Sequence, residues 1–323
     1  MAAIDCGTNS IRLLVADLGE AARSGGGAGD GGGARGSGGA GDGAFTDVVR
    51  RMEIVRLGQD VDRTGRLAAD ALARTRAALA DYAAQLRDLG AERVRMVATS
   101  ATRDAENAEE FHAMVTEVLG AAPEVVTGQE EAHLSFIGAV RGAPADAEPP
   151  YLVVDIGGGS TEFVRGTRDA EAAISVDIGC VRMTERHLRG DPPNPAEIAA
   201  AEADVAEAVR RALAAVSGKR ARTLVGLAGS VTTVAGIALN LPEYDSEAIH
   251  HAEIGYDAVA EVTAELLRST REQRLAIGVM HPGRADVIAG GALILRVIME
   301  QVSAASVIAS EHDILDGIAL SLA

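Results

Sequence analysis

Short apolar runs alternate along this chain with segments in which apolar residues recur at helical spacing. The runs AAI at 2–4 and YLVV at 151–154 are typical of buried strands. Segment 66–90 has helical spacing and ends at Gly90, as expected of a helix C-cap. Further strands are predicted at residues 45–57, 94–101, 123–128, 172–178, 223–230 and 306–310. Further helices are predicted at residues 107–119, 129–140, 195–216, 256–268, 285–302 and 314–323. This alternation predicts an α/β fold.

The two halves of the chain open on the same pattern. Asp5-Cys6-Gly7-Thr8-Asn9-Ser10 resembles Asp155-Ile156-Gly157-Gly158-Gly159-Ser160, and each stretch stands between two apolar runs. The sequence thus contains the same unit twice: a strand, a glycine turn that begins with an acid, and a second strand. Since 323 residues usually form two domains, the repeat predicts two related α/β domains that face each other across a cleft.

A second glycine-rich stretch has a different character. Residues 20–44 contain little besides Gly, Ala, Asp and Ser, and ordering so many glycines costs much backbone entropy. We interpret the stretch as a disordered hairpin extension between the first two strands. A phosphate-binding role is not expected there, because a phosphate cradle needs a fixed backbone.

Composition limits the function. A net charge of −17 argues against binding to nucleic acid or to a membrane surface. No signal peptide and no spanning run is apparent, and Cys6 and Cys180 lack the spacing of a metal or redox motif, so a cytoplasmic protein with reduced thiols is expected. Lys219 is the only lysine, so a bound phosphate must be held by arginine, backbone N–H groups or a divalent cation.

The stretch DIGGGSTE at 155–162 is a candidate phosphate cradle. Glycine lets the backbone reach positive φ and approach an oxyanion closely. Ser160 and Thr161 can donate hydroxyl hydrogens, and Asp155 and Glu162 can hold Mg²⁺ or its waters. The ordinary alternative is a polar β-turn. The matching stretch at 5–10 favours phosphate binding, and no GxxxxGK[ST] motif occurs.

Two further positions could take part in phosphoryl chemistry. Glu130 and Glu131 open a predicted helix, where acids ordinarily offset the helix dipole; the functional alternative is a general base that orients water. Arg103 follows a predicted strand and is either a surface residue or a phosphate clamp.

Two other patterns carry less weight. GLAGSVTT at 226–233 is a third glycine turn, with Gly229 and Ser230 as candidate phosphate contacts and an ordinary helix N-terminus as the alternative. Glu311-His312-Asp313 suggests a metal triad, but neighbouring side chains on a strand point in opposite directions. We therefore expect Asp313 to cap the last helix.

Taken together, these motifs resemble the Ppx/GppA phosphatases, which are exopolyphosphatases and guanosine pentaphosphate phosphohydrolases of the actin-like ATPase superfamily. The resemblance extends over the whole chain. It rests on residues 5–10 with the following IRLLVAD, TSATRDA at 99–105, TGQEEA at 127–132, DIGGGSTEF at 155–163 and DIGCV at 177–181.

The resemblance implies two ribonuclease-H-like domains with the active site between them. We expect the domains at residues 1–123 and 124–312, with the last helix, 313–323, packed back on the first. The implied site has Glu131 as catalytic base and Arg103 as a phosphate-contacting arginine. Asp155 and Glu162 are the implied metal-organising or water-orienting acids. The implied phosphate cradles are Gly7, Thr8, Asn9, Ser10, Gly157, Gly158, Gly159, Ser160 and Thr161.

The implied activity is Mg²⁺-dependent attack of water on a terminal phosphoanhydride of polyphosphate, with release of orthophosphate. Longer relatives carry an additional helical domain, so short chains are the expected substrate, and a homodimer is the expected assembly. Hydrolysis of pppGpp is an alternative. An actin-like sugar or acetate kinase and a non-catalytic nucleotide or polyphosphate sensor are the others. Release of orthophosphate distinguishes the two hydrolase activities from the kinase and from the non-catalytic sensor.

Overall fold

A computed structural model describes residues 1–18 and 45–323 of the chain, and the extension expected at 20–44 lies outside them. The first of its two sheets has the strand order β3-β2-β1-β4-β5. Strands β1, β2 and β3 are antiparallel neighbours, whereas β4 and β5 run parallel to β1. Its strands are β1 (Ala2–Cys6), β2 (Ser10–Leu18), β3 (Phe45–Ile54), β4 (Val94–Ala98) and β5 (Glu124–Val125).

The second sheet has the order β10-β11-β9-β6-β7-β8. Its strands are β6 (Tyr151–Ile156), β7 (Thr161–Gly166), β8 (Ala170–Val176), β9 (Thr223–Leu227), β10 (Glu253–Gly255) and β11 (Ser306–Ala309). Strands β6, β7 and β8 are antiparallel neighbours, and β9 and β11 run parallel to β6. Read from the other edge and without β10, the second sheet therefore has the same strand order and strand directions as the first. The prediction of two ribonuclease-H-like domains is confirmed.

Helices cover both sheets. Those of the described residues are α1 (Val61–Thr64), α2 (Ala69–Asp88), α3 (Ser100–Arg103), α4 (Ala108–Leu119), α5 (Gly128–Val140), α6 (Cys180–His187), α7 (Pro195–Val216), α8 (Ala228–Ala238), α9 (Ser246–Ile249), α10 (Tyr256–Arg268), α11 (Arg271–Leu275), α12 (Ile288–Val302) and α13 (Ile314–Leu320). None of them is long and apolar enough to cross a membrane.

Helix α5 links the two halves. Its residues Ala132, Phe136 and Ala139 are buried against strands of the second sheet. On the opposite side, Leu134 joins a core cluster with α13 and the first sheet. The last helix thus lies against α5, β1 and β2. Strand β5 pairs with β4, so the first sheet continues just beyond residue 123.

Several strand predictions run past the observed strands. The strand expected at 45–57 ends at Ile54, and the one expected at 172–178 ends at Val176. The strand expected at 123–128 is only Glu124–Val125, and α5 begins at Gly128.

The strand expected at 94–101 ends at Ala98, and Ser100 begins a turn of helix. The strand expected at 223–230 ends at Leu227, and α8 begins directly at Ala228. Both ends lie where a parallel strand leaves its sheet, and the small residues that follow stay buried or half-buried because they begin a helix that packs inside the molecule.

Candidate active site

The two repeated turns have the same geometry and meet each other. The N–H of Gly7 donates to the carbonyl of Ser10 over 2.9 Å, and the N–H of Gly157 donates to that of Ser160 over 3.0 Å. A Cβ atom added to Gly158 would lie 2.8 Å from the Cβ of Thr8. The turns after β1 and β6 therefore face each other across the gap between the sheets.

Close approach, rather than backbone conformation, requires glycine in the second turn. None of its three glycines has the left-handed φ expected from the sequence; among the described glycines that conformation occurs at Gly65, Gly90, Gly120 and Gly142. A Cβ atom on Gly159 would lie 2.8 Å from both the Ser100 and the Thr8 hydroxyl oxygens. The expectation of positive φ is therefore wrong for this turn, and close approach of its backbone to an anion stays a prediction.

The carbonyl groups of the second turn are held by helix α6. The N–H of Cys180 donates to the carbonyl of Gly157 over 2.9 Å, and two further N–H groups of α6 donate to that of Gly158. In a trans peptide, the next N–H points opposite to the carbonyl. No acceptor within residues 1–18 and 45–323 pairs with the N–H groups of Gly158, Gly159 or Ser160. Free N–H groups in sequence form a concavity that suits an anion.

The first turn is built in a similar way. The carbonyl of Thr8 accepts from the N–H of Gly58, and that of Asn9 accepts from two N–H groups just after β3. The N–H groups of Thr8 and Asn9 have no acceptor in the part of the chain that the structure describes. The Thr8 hydroxyl lies 2.9 Å from the Ser100 hydroxyl, so α3 also borders this turn.

Glu131 lies in the first turn of α5, on the cleft side. Nη1 of Arg103 donates to its Oε2 over 3.1 Å and to the carbonyl of Val126 over 2.9 Å. Burial raises the pKa of Glu131 to about 7, and the Arg103 charge opposes that shift. Its neighbour Glu130 is exposed and pairs instead with Arg95 over 3.0 Å. Of the two glutamates, the structure thus brings Glu131 to the cleft.

Asp155 and Glu162 are buried at the ends of adjacent strands. Burial raises the pKa of Asp155 to about 6, although the Ser135 hydroxyl donates to its Oδ2 over 2.7 Å. Burial also raises the pKa of Glu162, with Glu131 and Asp155 as further causes. The hydroxyls of Ser160 and Ser175 donate to Oε1 of Glu162 over 2.8 and 2.7 Å.

Several predicted residues line one narrow cleft of about 100 Å³, and others do not. Its lining includes Asp5, Gly7, Thr8, Asn9, Ser10, Glu131, Asp155, Gly157, Gly158, Ser160, Glu162, Gly229 and Ser230. Arg103 reaches it only through Glu131. Thr161 does not line the cleft, because its side chain is fully buried and its hydroxyl donates to the carbonyl of Ile178 over 2.5 Å.

The third predicted turn is the N-terminus of α8. No side chain caps this end, and Ala228 has a left-handed φ of 68°, which is strained for a residue with a Cβ. A Cβ atom on Gly229 would lie 2.3 Å from Cζ of Arg284. Glycine is needed here so that an arginine can lie against the helix end.

Two arginines of the cleft were not predicted. Arg12 donates from Nε and Nη2 to Oδ2 of Asp5, and from Nη1 to Asp313. Arg284 contacts the Thr233 hydroxyl over 3.3 Å and has no carboxylate partner among the described residues. An arginine inside the apolar strand SIRLLVADL is a signal that could have identified Arg12, whereas no local pattern distinguishes Arg284.

A larger cavity of about 470 Å³ adjoins the cleft. Arg12 and Arg284 border both spaces, and the cavity adds Arg50 and Arg51 together with two acids, Glu311 and Asp313. His281 also lines it, and burial lowers the pKa of this histidine. Met52, Tyr244 and Met280 supply apolar surface in the same wall. A chain that leaves the cleft in this direction therefore meets positive charge together with an apolar surface.

The cleft suits Mg²⁺ if phosphate shares the ion. Oδ1 of Asp5 and Oδ1 of Asn9 are buried without a partner in the described part of the chain. Oxygen atoms of this kind are the ligands that Mg²⁺ prefers, usually with one or two carboxylates completed by phosphate and water. No group of three or more acid, histidine or cysteine side chains in the described residues is arranged to hold an ion alone.

Asp313 caps α13, as predicted. Its Oδ1 accepts from the N–H of Leu315 over 3.0 Å. In return, the backbone N–H of Asp313 donates to Oδ2 of Asp316 over 3.0 Å. The pair with Arg12 occupies the other oxygen of Asp313. The last helix is thus joined to the cleft through one carboxylate.

Comparisons with known proteins agree with this geometry. Exopolyphosphatase 2 of Mycobacterium tuberculosis is 50% identical over 332 aligned positions, covering 100% of this chain and 98% of that protein. The crystal structure of an exopolyphosphatase-like protein is 41% identical, with a TM-score of 0.89 and coverage of 99% and 98% of the two chains.

A crystal structure from Aquifex aeolicus, described as a member of the Ppx/GppA protein family, is 29% identical. Its TM-score is 0.78, and the match covers 99% of this chain and 96% of that one. The model of the Ppx/GppA phosphatase family matches residues 38–323. The family model spans most of the chain and the Mycobacterium tuberculosis relative spans all of it, and the chain is therefore a member of the Ppx/GppA phosphatase family.

Proposed function

We propose that this protein is an exopolyphosphatase, which hydrolyses the terminal phosphoanhydride of inorganic polyphosphate and releases orthophosphate. The observation that carries the proposal is the position of Glu131, a buried carboxylate with a pKa of about 7. It lies beside two turns in which several N–H groups have no acceptor among the described residues, namely those of Thr8, Asn9, Gly158, Gly159 and Ser160. The name of the 50% identical relative, Exopolyphosphatase 2, supports the same activity.

In the proposed mechanism, the terminal phosphoryl group lies between the turn after β1 and the turn after β6. Glu131 accepts a proton from water as the water oxygen bonds to phosphorus and the bond to the bridging oxygen breaks. The products are orthophosphate and a chain that is one phosphate shorter. The N–H groups of the turns stabilise charge on the terminal oxygens, since phosphoryl transfer depends mainly on positioning and charge neutralisation.

Mg²⁺ bound with the phosphates would neutralise part of their charge. Asp155 and Glu162, together with the unpaired oxygens of Asp5 and Asn9, are the residues that would hold the ion or its waters. Arg284, without a carboxylate partner in the described residues, is free to pair with a phosphate oxygen. In this proposal the remaining phosphates of the chain occupy the adjoining basic cavity.

Orthophosphate release tests the proposal. Purified protein is incubated with short polyphosphate, long polyphosphate, pppGpp and ATP, each with Mg²⁺ and with EDTA. We expect Mg²⁺-dependent release from polyphosphate, with short chains the better substrate, and little release from ATP. Tight binding of polyphosphate without release would identify a sensor and overturn the proposal.

Hydrolysis of pppGpp is the second candidate. Its support is the apolar surface of the adjoining cavity, where Tyr244, Met52 and Met280 could contact a nucleobase. Phe and Ala variants of Tyr244 separate the two substrates. If pppGpp is the substrate, Tyr244→Ala lowers its kcat/KM much more than that of polyphosphate; if polyphosphate is the substrate, both variants leave its turnover nearly unchanged.

The proposal also includes a cytoplasmic homodimer that binds neither nucleic acid nor membrane. Its net charge of −17 supports the last part, because nucleic acids and anionic lipids repel such a surface. Light scattering of the purified protein measures the oligomeric state, and a monomer at micromolar concentration would contradict the dimer.

A further inference from the structure

Arg182 lies on α6 behind the turn that follows β6, and all three nitrogen atoms of its guanidinium group donate hydrogen bonds. Nε donates to the carbonyl of Gly159 over 2.7 Å, in the turn after β6. Nη1 and Nη2 donate to Asp62 and Asp104, each over 2.6 Å. The first contact is within the second-sheet half of the molecule, whereas the other two cross to the first-sheet half.

The contact with Gly159 completes a series. Backbone N–H groups of α6 hold the carbonyls of Gly157 and Gly158, and the Arg182 side chain holds the third consecutive carbonyl. Because the peptide is trans, fixing the Gly159 carbonyl also fixes the N–H of Ser160 on the opposite side. Ser160 lines the cleft, so one of the free N–H groups of the cradle depends on Arg182.

The contacts with Asp62 and Asp104 connect this turn to the opposite wall. Asp104 directly follows Arg103, the partner of Glu131. Next along α6, Arg186 also pairs with Asp62, over 2.9 Å. The Arg182 side chain is only 13% exposed, so these charges are partly shielded from solvent. Separating the two halves would break these pairs and leave the Gly159 contact intact.

We propose that Arg182 is a positioning residue that orients the second phosphate turn and, through Asp62 and Asp104, latches it to the wall that carries Arg103, the partner of Glu131. The kinetic test of this inference rests on the proposed function, because it measures hydrolysis of polyphosphate. The latch holds the cleft closed without ligand, and it opens when the charge pairs are weakened. Asp62 and Asp104 are 25% and 33% exposed, so the two pairs are partly open to solvent and high salt should weaken them.

Two sets of variants separate the roles of the residue. In Asp62→Asn/Asp104→Asn, the bond to Gly159 remains and only the latch is weakened, so we expect KM to rise about fivefold with kcat within twofold of the wild-type value. In Arg182→Ala, the turn also loses its support, and kcat falls by about tenfold in addition. The lysine in Arg182→Lys can replace one of the three hydrogen bonds, so we expect its kcat to lie between those of the wild type and of Arg182→Ala.

The matched control is Arg76→Ala, which removes an exposed pair with Glu117 between α2 and α4. We expect its kcat and KM to equal those of the wild-type protein. If the Arg182→Ala variant is folded by circular dichroism and keeps both constants within twofold of the wild type, the inference is overturned. A merely structural role would lower the amount of folded protein without separating KM from kcat.

Small-angle X-ray scattering gives a readout that does not need activity. Without ligand, we expect a larger radius of gyration for Asp62→Asn/Asp104→Asn than for the wild type, and a wild-type radius that grows in 1 M salt (a Debye length of about 3 Å). Equal radii in all samples would contradict the latch. If the radii change as expected but no polyphosphate is hydrolysed, the latch stands and the proposed function fails.

Discussion

Nη1 of Arg103 donates a hydrogen bond to Oε2 of Glu131 over 3.1 Å, and thereby opposes the effect of burial on that carboxylate. Burial alone favours the protonated acid, which cannot accept a proton from water. The arginine favours the ionised form and keeps the pKa near 7, where a general base is most effective. Arg103 therefore acts on the base in this arrangement, besides any contact with phosphate.

Removing the base should abolish most of the activity. Glu131→Gln keeps the size and the hydrogen bond to Arg103 but cannot accept a proton. We expect kcat to fall by roughly two to four orders of magnitude, the usual contribution of a general base, with polyphosphate binding retained. Orthophosphate release and equilibrium binding of the same chains measure the two effects. Near wild-type turnover would remove Glu131 from the mechanism.

The pH dependence should follow the same carboxylate. Since the active form is ionised, log kcat/KM should increase with pH up to about 7 and then level off. Arg103→Met removes the charge that lowers the pKa of Glu131, so the inflection should move to higher pH. Arg103→Lys keeps the charge and should leave the inflection near its wild-type position. An unchanged inflection in Arg103→Met would show that another group titrates.

Much of this site could be predicted from local sequence. The paired stretches at 5–10 and 155–160 are visible in the sequence because both turns follow a strand and direct N–H groups toward the same cleft. The choice of Glu131 over Glu130 followed only from family resemblance. In the structure it follows from burial, since Glu130 pairs with Arg95 outside the cleft.

Residues defined by long-range contacts were not predictable in this way. Arg12 reaches Asp313, Arg284 lies against Gly229, and Arg182 reaches Asp62 and Asp104; none of these pairs has a regular sequence spacing. Helix α6 was not predicted for a related reason. Its sequence, CVRMTERH, has few apolar residues at helical spacing. Its backbone N–H groups instead hold the turn after β6, and its arginines pair with acids of the first-sheet half.

Glu162 should reduce the stability of the metal-free protein. Its pKa is raised by burial, with Glu131 and Asp155 adding to the shift, so the folded state holds its proton at pH values where the unfolded chain has lost it. Stability is thus lost as pH rises above the unfolded value of about 4.3 toward the folded one.

Glu162→Gln removes this effect, and its amide oxygen can still accept from Ser160 and Ser175. In EDTA we expect a higher Tm than for the wild type at pH 8, and no difference at pH 4. Thermal unfolding at both pH values measures the change. The same variant should lose activity, and a Tm lower than that of the wild type at pH 8 would contradict the stated cause.

The crossing of α5 and α13 should be the structural support of Glu131. A Cβ atom on Gly138 would lie 1.9 Å from the carbonyl oxygen of Asp313, and one on Gly317 would lie 2.0 Å from that of Leu134. Since backbone lies on both sides, neither contact can be relieved by a side-chain rotation, and the helices would have to separate.

Gly138→Ala and Gly317→Ala should each lower stability by about 1–3 kcal/mol, as expected of overpacking. They should also lower kcat, because α5 carries Glu131 and α13 carries the Asp313 carboxylate that pairs with Arg12. Gly255→Ala is the control, with an ordinary φ of −67° and the nearest atom 4.0 Å from its added Cβ. Thermal unfolding and orthophosphate release measure both effects, and a fully active Gly138→Ala variant would show that this crossing does not position the base.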